Sequence, residues 1–179
     1  QVFRNDSPEL KANQQLNRMF RHYLEHVLSL ETDRSLILYV VLEHEIKDIA
    51  LQHSRRIVAD TSQSSGTLDR VVTCLGRFGD KSDIPKLQAL LQDERITNSW
   101  SRGQGKPLVR TQLRDRALAM LIHLVGKQPA DFGFELTVAA EKVVFQPYSC
   151  GFETDEQREQ AHKNWRKWWD ENGDRFAEK

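Results

Sequence analysis

Apolar residues recur along this chain at spacings of three and four. Leu16, Met19, Phe20, Tyr23, Leu24, Val27 and Leu28 mark one face of a first helix. Ser7-Pro8-Glu9 opens it, because Ser accepts from an orphan N–H and Pro tolerates the first helical position. Thr32-Asp33 reads as the next start. The stretch Leu36 to Ile46 is apolar on nearly all sides, which predicts a central helix. Ile46, Ile49, Ala50, Ile57 and Val58 predict another that closes near Asp60. Residues Thr61 to Thr67 hold no apolar side chain and predict a loop. A helix over Leu68–Phe78 follows, stopped by Gly79-Asp80. Ser82 or Asp83 then caps a helix with Pro85 in its first turn and Leu87, Leu90 and Leu91 inward.

Beyond Glu94 the pattern weakens. Glu94 to Leu108 predicts an irregular loop, with Gly103, Gly105 and Pro107. Leu113 to Val125 is helical again, and Gly126 suits a left-handed terminus. Lys127 to Glu153 is mostly irregular and carries Phe132, Phe134, Phe145 and Phe152, with room for a short helix at Leu136–Val143. Thr154-Asp155-Glu156-Gln157 is a capping box that opens a last helix through Trp165, Trp168 and Trp169. Trp165 and Trp169 share a face there, expected to seal the core with Phe145 or Phe152, while Trp168 points elsewhere. No convincing run alternates apolar with polar, so the predicted class is all-α.

The chain also resembles itself. Asp33-Arg34, Asp69-Arg70 and Asp115-Arg116 each open a helix, and they lie 36 and then 46 residues apart. Aligned on them, Tyr39, Leu75 and Leu121 coincide, as do Leu42, Phe78 and Leu124. Asp60 and Asp93 each follow an apolar pair, Ile57-Val58 and Leu90-Leu91. Each unit is then a helix, a turn and a second helix. A lone pair cannot hide its apolar face, whereas stacked pairs share one core. The three Asp residues suit the first helical turn, and the Arg after each links neighbouring units.

Leu68-Asp69-Arg70 through Leu75-Gly76, Asp83-Ile84-Pro85 and Leu90-Leu91-Gln92-Asp93 resemble a HEAT-type repeat, of the short bacterial variety also found in phycobilisome-lyase-like proteins. Arg114 to Leu124, Asp131-Phe132-Gly133-Phe134, Gly151-Phe152 and Trp165 are similar to bacterial HEAT-like repeat proteins of uncharacterised role. The resemblance covers roughly Asp33 to Trp169. It implies a right-handed α/α superhelix of about three helix pairs, serving as a protein-binding scaffold with no implied reaction. The expected layout is a single domain over 1–179. A capping helix spans 7–30, repeats span 33–126 with the loop 94–108, and an aromatic loop and capping helix span 127–179. The loop 94–108 and the segment 127–153 depart from a plain repeat.

Composition narrows the choice of function. Lys plus Arg equals Asp plus Glu, 26 against 26, which argues against a general nucleic-acid binder. At 179 residues, folding buries roughly 70% of the unfolded surface, so a full core is available. No stretch of 18 apolar residues exists to cross a membrane. The first residue is Gln1, which fits a processed product or a piece of something longer, and the compartment stays open.

Candidate chemistry is sparse. His22 and His26 stand at i and i+4 without a third ligand nearby, and a packing or solvated pair is the expected role. Gly103-Gln104-Gly105-Lys106 lacks the spacing and the Ser or Thr of a phosphate loop. Cys74 is expected as a small buried hydrophobe, and Cys150 lies in a loop with no activating base. No catalytic residue, cofactor or metal site is expected. From Arg95 to Arg114 the chain carries Arg95, Arg102, Lys106, Arg110 and Arg114, with Trp100 among them and one carboxylate-free run between. Trp100, Arg102, Lys106 and Arg110 are the expected contact residues for an anionic or carboxylate-rich protein partner. The rival roles are a nucleic-acid-binding or HEAT-like enzyme of base-repair or pigment-lyase type, and a structural segment of a larger chain.

Overall fold

The computed structural model describes residues 8–30 and 35–176, and they are predominantly helical. The helices are α1 (Pro8–Ser29), α2 (Ser35–Glu43), α3 (Lys47–Ile57), α4 (Ser65–Phe78), α5 (Ile84–Gln88), α6 (Leu113–Leu124) and α7 (Asp155–Asn172). Two antiparallel two-stranded sheets join them. These are β1 (Ile96–Ser101) with β2 (Leu108–Gln112), and β3 (Ala139–Ala140) with β4 (Val144–Phe145). Ser7 and the Asp33-Arg34 pair lie outside the described residues.

Local chemistry explains most helix ends. Ser64 caps α4, its Oγ accepting from Thr67 N at 3.1 Å, so the helix starts three residues ahead of the expected Leu68. Asp83 stands at the N-cap of α5, as expected of Ser82 or Asp83, but its side chain makes no cap bond there; Asp80 caps the short 3-10 turn Lys81–Asp83 just before it. Its carboxylate accepts from Ser82 N at 2.9 Å, while Asp83 accepts from Asp80 N at 3.2 Å. Thr154 and Gln157 form the expected capping box on α7. Gly126 adopts a φ of 73° just past α6.

The core is one cluster running from Leu24 to Trp165. Its centre corrects an expectation. α2 is not the central helix, because Leu36 is 68% exposed and Tyr39 is 43% exposed. The central pair is α4 and α6. Every residue from Asp115 to Ile122 is buried, and so is every residue from Thr67 to Gly76 except half-buried Arg70. Small side chains permit this. A Cβ on Gly76 would lie 2.3 Å from Met120 Sδ, so only glycine lets α6 approach α4 here. Of the aligned trio, Leu75 and Leu121 are fully buried and Tyr39 is not.

Both irregular segments carry strands in place of loop and helix. Leu136–Val143 is not helical; Ala139 pairs with Phe145 and Ala140 with Val144. The aromatic end is also arranged differently from expectation. Trp168 stacks on Trp165 at 5.4 Å instead of pointing away, because positions three apart also share a helix face. Phe132 meets Trp165 at 5.7 Å, the place expected for Phe145 or Phe152.

Candidate functional site

Two groups of residues carry the polar chemistry: a buried series of Asp–Arg pairs and the β1–β2 hairpin. In the first, Arg116 of α6 is fully buried. It donates through Nε to Asp69 Oδ1 at 2.7 Å, through Nη2 to Thr73 Oγ1 at 2.8 Å, and through Nη1 to Cys150 Sγ at 3.1 Å. Asp115, one residue earlier, accepts from Arg158 Nε of α7 at 3.0 and 3.1 Å, and caps its own helix by accepting from Gln112 N at 2.9 Å. His162 Nε2 lies 3.5 Å from Asp115 Oδ1. Asp69 of α4 thus receives an Arg from α6, and Asp115 of α6 one from α7. Arg70 reaches backward too, its guanidinium 5.3 Å from the Tyr39 ring centre. A second link joins α3 to the turn before α5, where Arg55 grips Asp83 through two bonds of 2.8 and 2.7 Å.

These groups are engaged with one another. Burial opposes the charge on Arg116, yet Asp69 and Cys150 outweigh it and hold the guanidinium above its ordinary range. Burial pushes the Cys150 thiol up, and pushes Cys74 up to about 12. A fully buried thiol held in its protonated form is a poor nucleophile.

The hairpin is tied down at its base. Leu113 N donates to Arg95 O and Arg114 N to Asp93 O, both at 2.9 Å. Asp93 accepts from Arg95 N and Nε, and Arg95 Nη1 reaches Gln63 O at 2.7 Å. The paired positions are Asn98 with Thr111, Ser99 with Arg110, Trp100 with Val109, and Ser101 with Leu108, with a bulge between Ile96 and Asn98. Alternation sorts the side chains onto two faces. Val109 and Thr111 are fully buried, whereas Leu108 is 44% exposed and Arg110 is exposed. Trp100 shares the inner face; its Nε1 donates to Tyr148 O at 2.7 Å and its ring meets Tyr148 edge-on at 5.3 Å.

The far side of β2 meets a short bridge. Arg110 N donates to Phe152 O at 3.0 Å and Phe152 N to Arg110 O at 3.1 Å. Gly151 permits it, since a Cβ there would lie 2.5 Å from Arg110 O. Arg110 therefore turns its backbone groups away from β1. In an antiparallel pair its partner Ser99 does the same, so the Ser99 N–H and C=O point off the outer edge of β1.

The four expected contact residues are close in sequence but split in space. Trp100 is half-buried beneath the hairpin, and Arg102 pairs with Glu153 at 3.5 Å. Lys106 is exposed at the tip and Arg110 on the outer face, neither ion-paired among the described residues. The cationic run is also partly neutralised. Arg95 pairs with Asp93, and Arg114 with Glu94 and Glu159 at 3.2 Å each. Sequence reasoning missed Ile96 and Leu108 as exposed apolar neighbours of Arg110, and Tyr148 as the seat of Trp100. The alternation Leu108-Val109-Arg110-Thr111 was the available signal. His22 and His26 are both exposed on α1, and no group of three or more metal-ligating side chains occurs among the described residues. No helix of these residues is long and apolar enough to cross a membrane. No family model matches the chain, and no curated protein or solved structure matches it.

Proposed function

We propose that this chain is a non-catalytic protein-interaction module, built as a right-handed stack of HEAT-like helix pairs with the β1–β2 hairpin as its contact surface. The observation that carries the reading is the division of labour in the hairpin. Its inner face is spent on Tyr148 and the core, while its outer face offers Ile96, Leu108, Arg110 and the tip residue Lys106. An open strand edge at Ser99 lies beside them. Apolar contacts, two cations with no ion pair among the described residues and an outward strand edge suit an extended acidic segment that adds as a strand. The stacked-pair architecture draws support from Arg116–Asp69 and Arg158–Asp115, which tie α6 to α4 and α7 to α6, the Arg coming each time from the later helix. A non-catalytic role draws support from the buried carboxylates and thiols, all engaged with internal partners.

The test is affinity capture from native lysate with quantitative mass spectrometry, comparing wild type with a Lys106→Glu/Arg110→Glu variant. Both positions are exposed, so the fold should persist. The reading predicts partners with acidic extended segments that wild type retains and the variant loses. Identical capture would contradict it. So would salt-sensitive DNA binding in a fluorescence titration, which would favour the nucleic-acid alternative.

A further inference from the structure

Among the described residues two that are not glycine hold a positive φ, Glu45 at 54° and Val144 at 64°, and one arginine reaches both turns. Glu45 follows the end of α2. Ile46 N donates to Val41 O at 3.0 Å, which turns the chain through Glu45 in the left-handed place that glycine usually takes. Val144 opens β4. Phe145 N donates to Val143 O at 2.7 Å and closes a three-residue turn around it. With a positive φ at its centre, this is the strained form of that turn. A β-branched side chain makes the position costlier still.

Strain of this kind persists only where the surroundings fix the chain on both sides. Arg77 of α4, its side chain 11% exposed, supplies one side. Its Nη2 donates to Glu45 Oε1, and its Nη1 donates to Lys142 O and, at 3.4 Å, to Leu42 O. Lys142 Nζ in turn donates to Glu43 Oε2, so the end of α2 and the β3–β4 turn are tied to each other and to α4. The core supplies the other side. Phe145 is buried and packs edge-on to His123 at 5.9 Å, and Gln146 N donates to Val138 O at 2.8 Å. Val143 and Val144 alone span the gap between the two anchors. The anchor at Lys142 is the weaker one, because its side chain is half exposed and surface ion pairs contribute little.

We propose that the β3–β4 turn is a strained latch, held shut by Arg77 and the Glu43–Lys142 pair, which opens as a local unit while the α4–α6 centre stays folded. Opening relieves Val144, draws Phe145 from its place beside His123 and uncovers the Arg77 guanidinium. An apolar slot and a cation are thus presented together in the open state. The inference stands apart from the β1–β2 hairpin, which plays no part in it. Native-state hydrogen exchange of the full chain, followed by NMR, tests it. The Phe145 and Gln146 amides are protected roughly a hundredfold less than those of Val72 and Leu75 in α4. Glu43→Gln lowers their protection about threefold, the size of a surface ion pair. Arg77→Lys, which keeps the charge and loses the fork, lowers it about tenfold. Val144→Ala and Val144→Gly both lose the branched side chain, but only glycine loses the Cβ that a positive φ strains. The glycine variant is therefore protected about fivefold more than the alanine variant. Exchange of the latch amides together with α4 in one global opening would overturn the proposal. So would a glycine variant no better protected than the alanine one, or protection unchanged in both Glu43→Gln and Arg77→Lys.

Discussion

Helices α2 and α4 invite comparison. Seven of the nine residues of α2 are apolar, yet Leu36 and Tyr39 face solvent. α4 mixes Thr, Asp, Arg and Gly among its apolar residues, yet it lies at the centre, packed by α2, α3 and α6. Hydrophobicity alone therefore does not choose the central helix. What chooses it is whether neighbours can come close on every side, and whether its polar groups find partners once water is gone. Gly76 meets the first condition, and the Asp69–Arg116–Thr73 cluster meets the second.

The largest effect should come from breaking that cluster. Arg116→Met leaves Asp69 buried without its counter-charge and should cost about 3–5 kcal/mol, read as a shift in urea midpoint. Leu75→Ala and Leu121→Ala should each cost about 2–4 kcal/mol in the same assay, because both are fully buried. Tyr39→Ala, at the aligned position of α2, should cost less than about 1 kcal/mol. Equal losses at all three would erase the contrast between the two helices. Gly76→Ala should cost about 1–3 kcal/mol by forcing Met120 aside, and Met120→Ala should relieve part of that clash.

The smallest effect concerns the hairpin base. The Arg95 guanidinium, donating to Asp93, holds that carboxyl below its ordinary range. A lowered folded-state pKa gives stability that is present above the ordinary carboxylate value, about 3.9, and lost as pH falls through the folded value. Asp93→Asn should therefore cost about 1 kcal/mol at pH 7, with the gap to wild type closing below about pH 4. Denaturation curves at pH 7 and pH 3 check both the size and the sign.

Several features were legible because their signals are local. The Thr154 capping box, the left-handed Gly126 and the burial of Leu75 and Leu121 need only nearby residues or a repeat. The link from Arg116 to Asp69 was also within reach, since both residues belong to the Asp-Arg pairs that recur in the sequence. Arg158 was not, because its partner Asp115 lies 43 residues away and no repeat marks it. The hairpin escaped notice for another reason. Its inward positions include Asn98 and Thr111, which read as polar, so Trp100 and Val109 alone were too short an alternation. Tyr39 failed because its repeat position sits where no further helix covers it among the described residues.

A double-mutant cycle on Asp69 and Arg116, measured by urea denaturation, tests the central claim most directly. Arg116→Met, Asp69→Leu and the double variant are compared with wild type. If the buried pair organises the α4–α6 centre, each single change should be costly and the double variant should recover much of the loss, with a coupling of about 2 kcal/mol or more. Additive losses, with coupling below about 0.5 kcal/mol, would contradict the account.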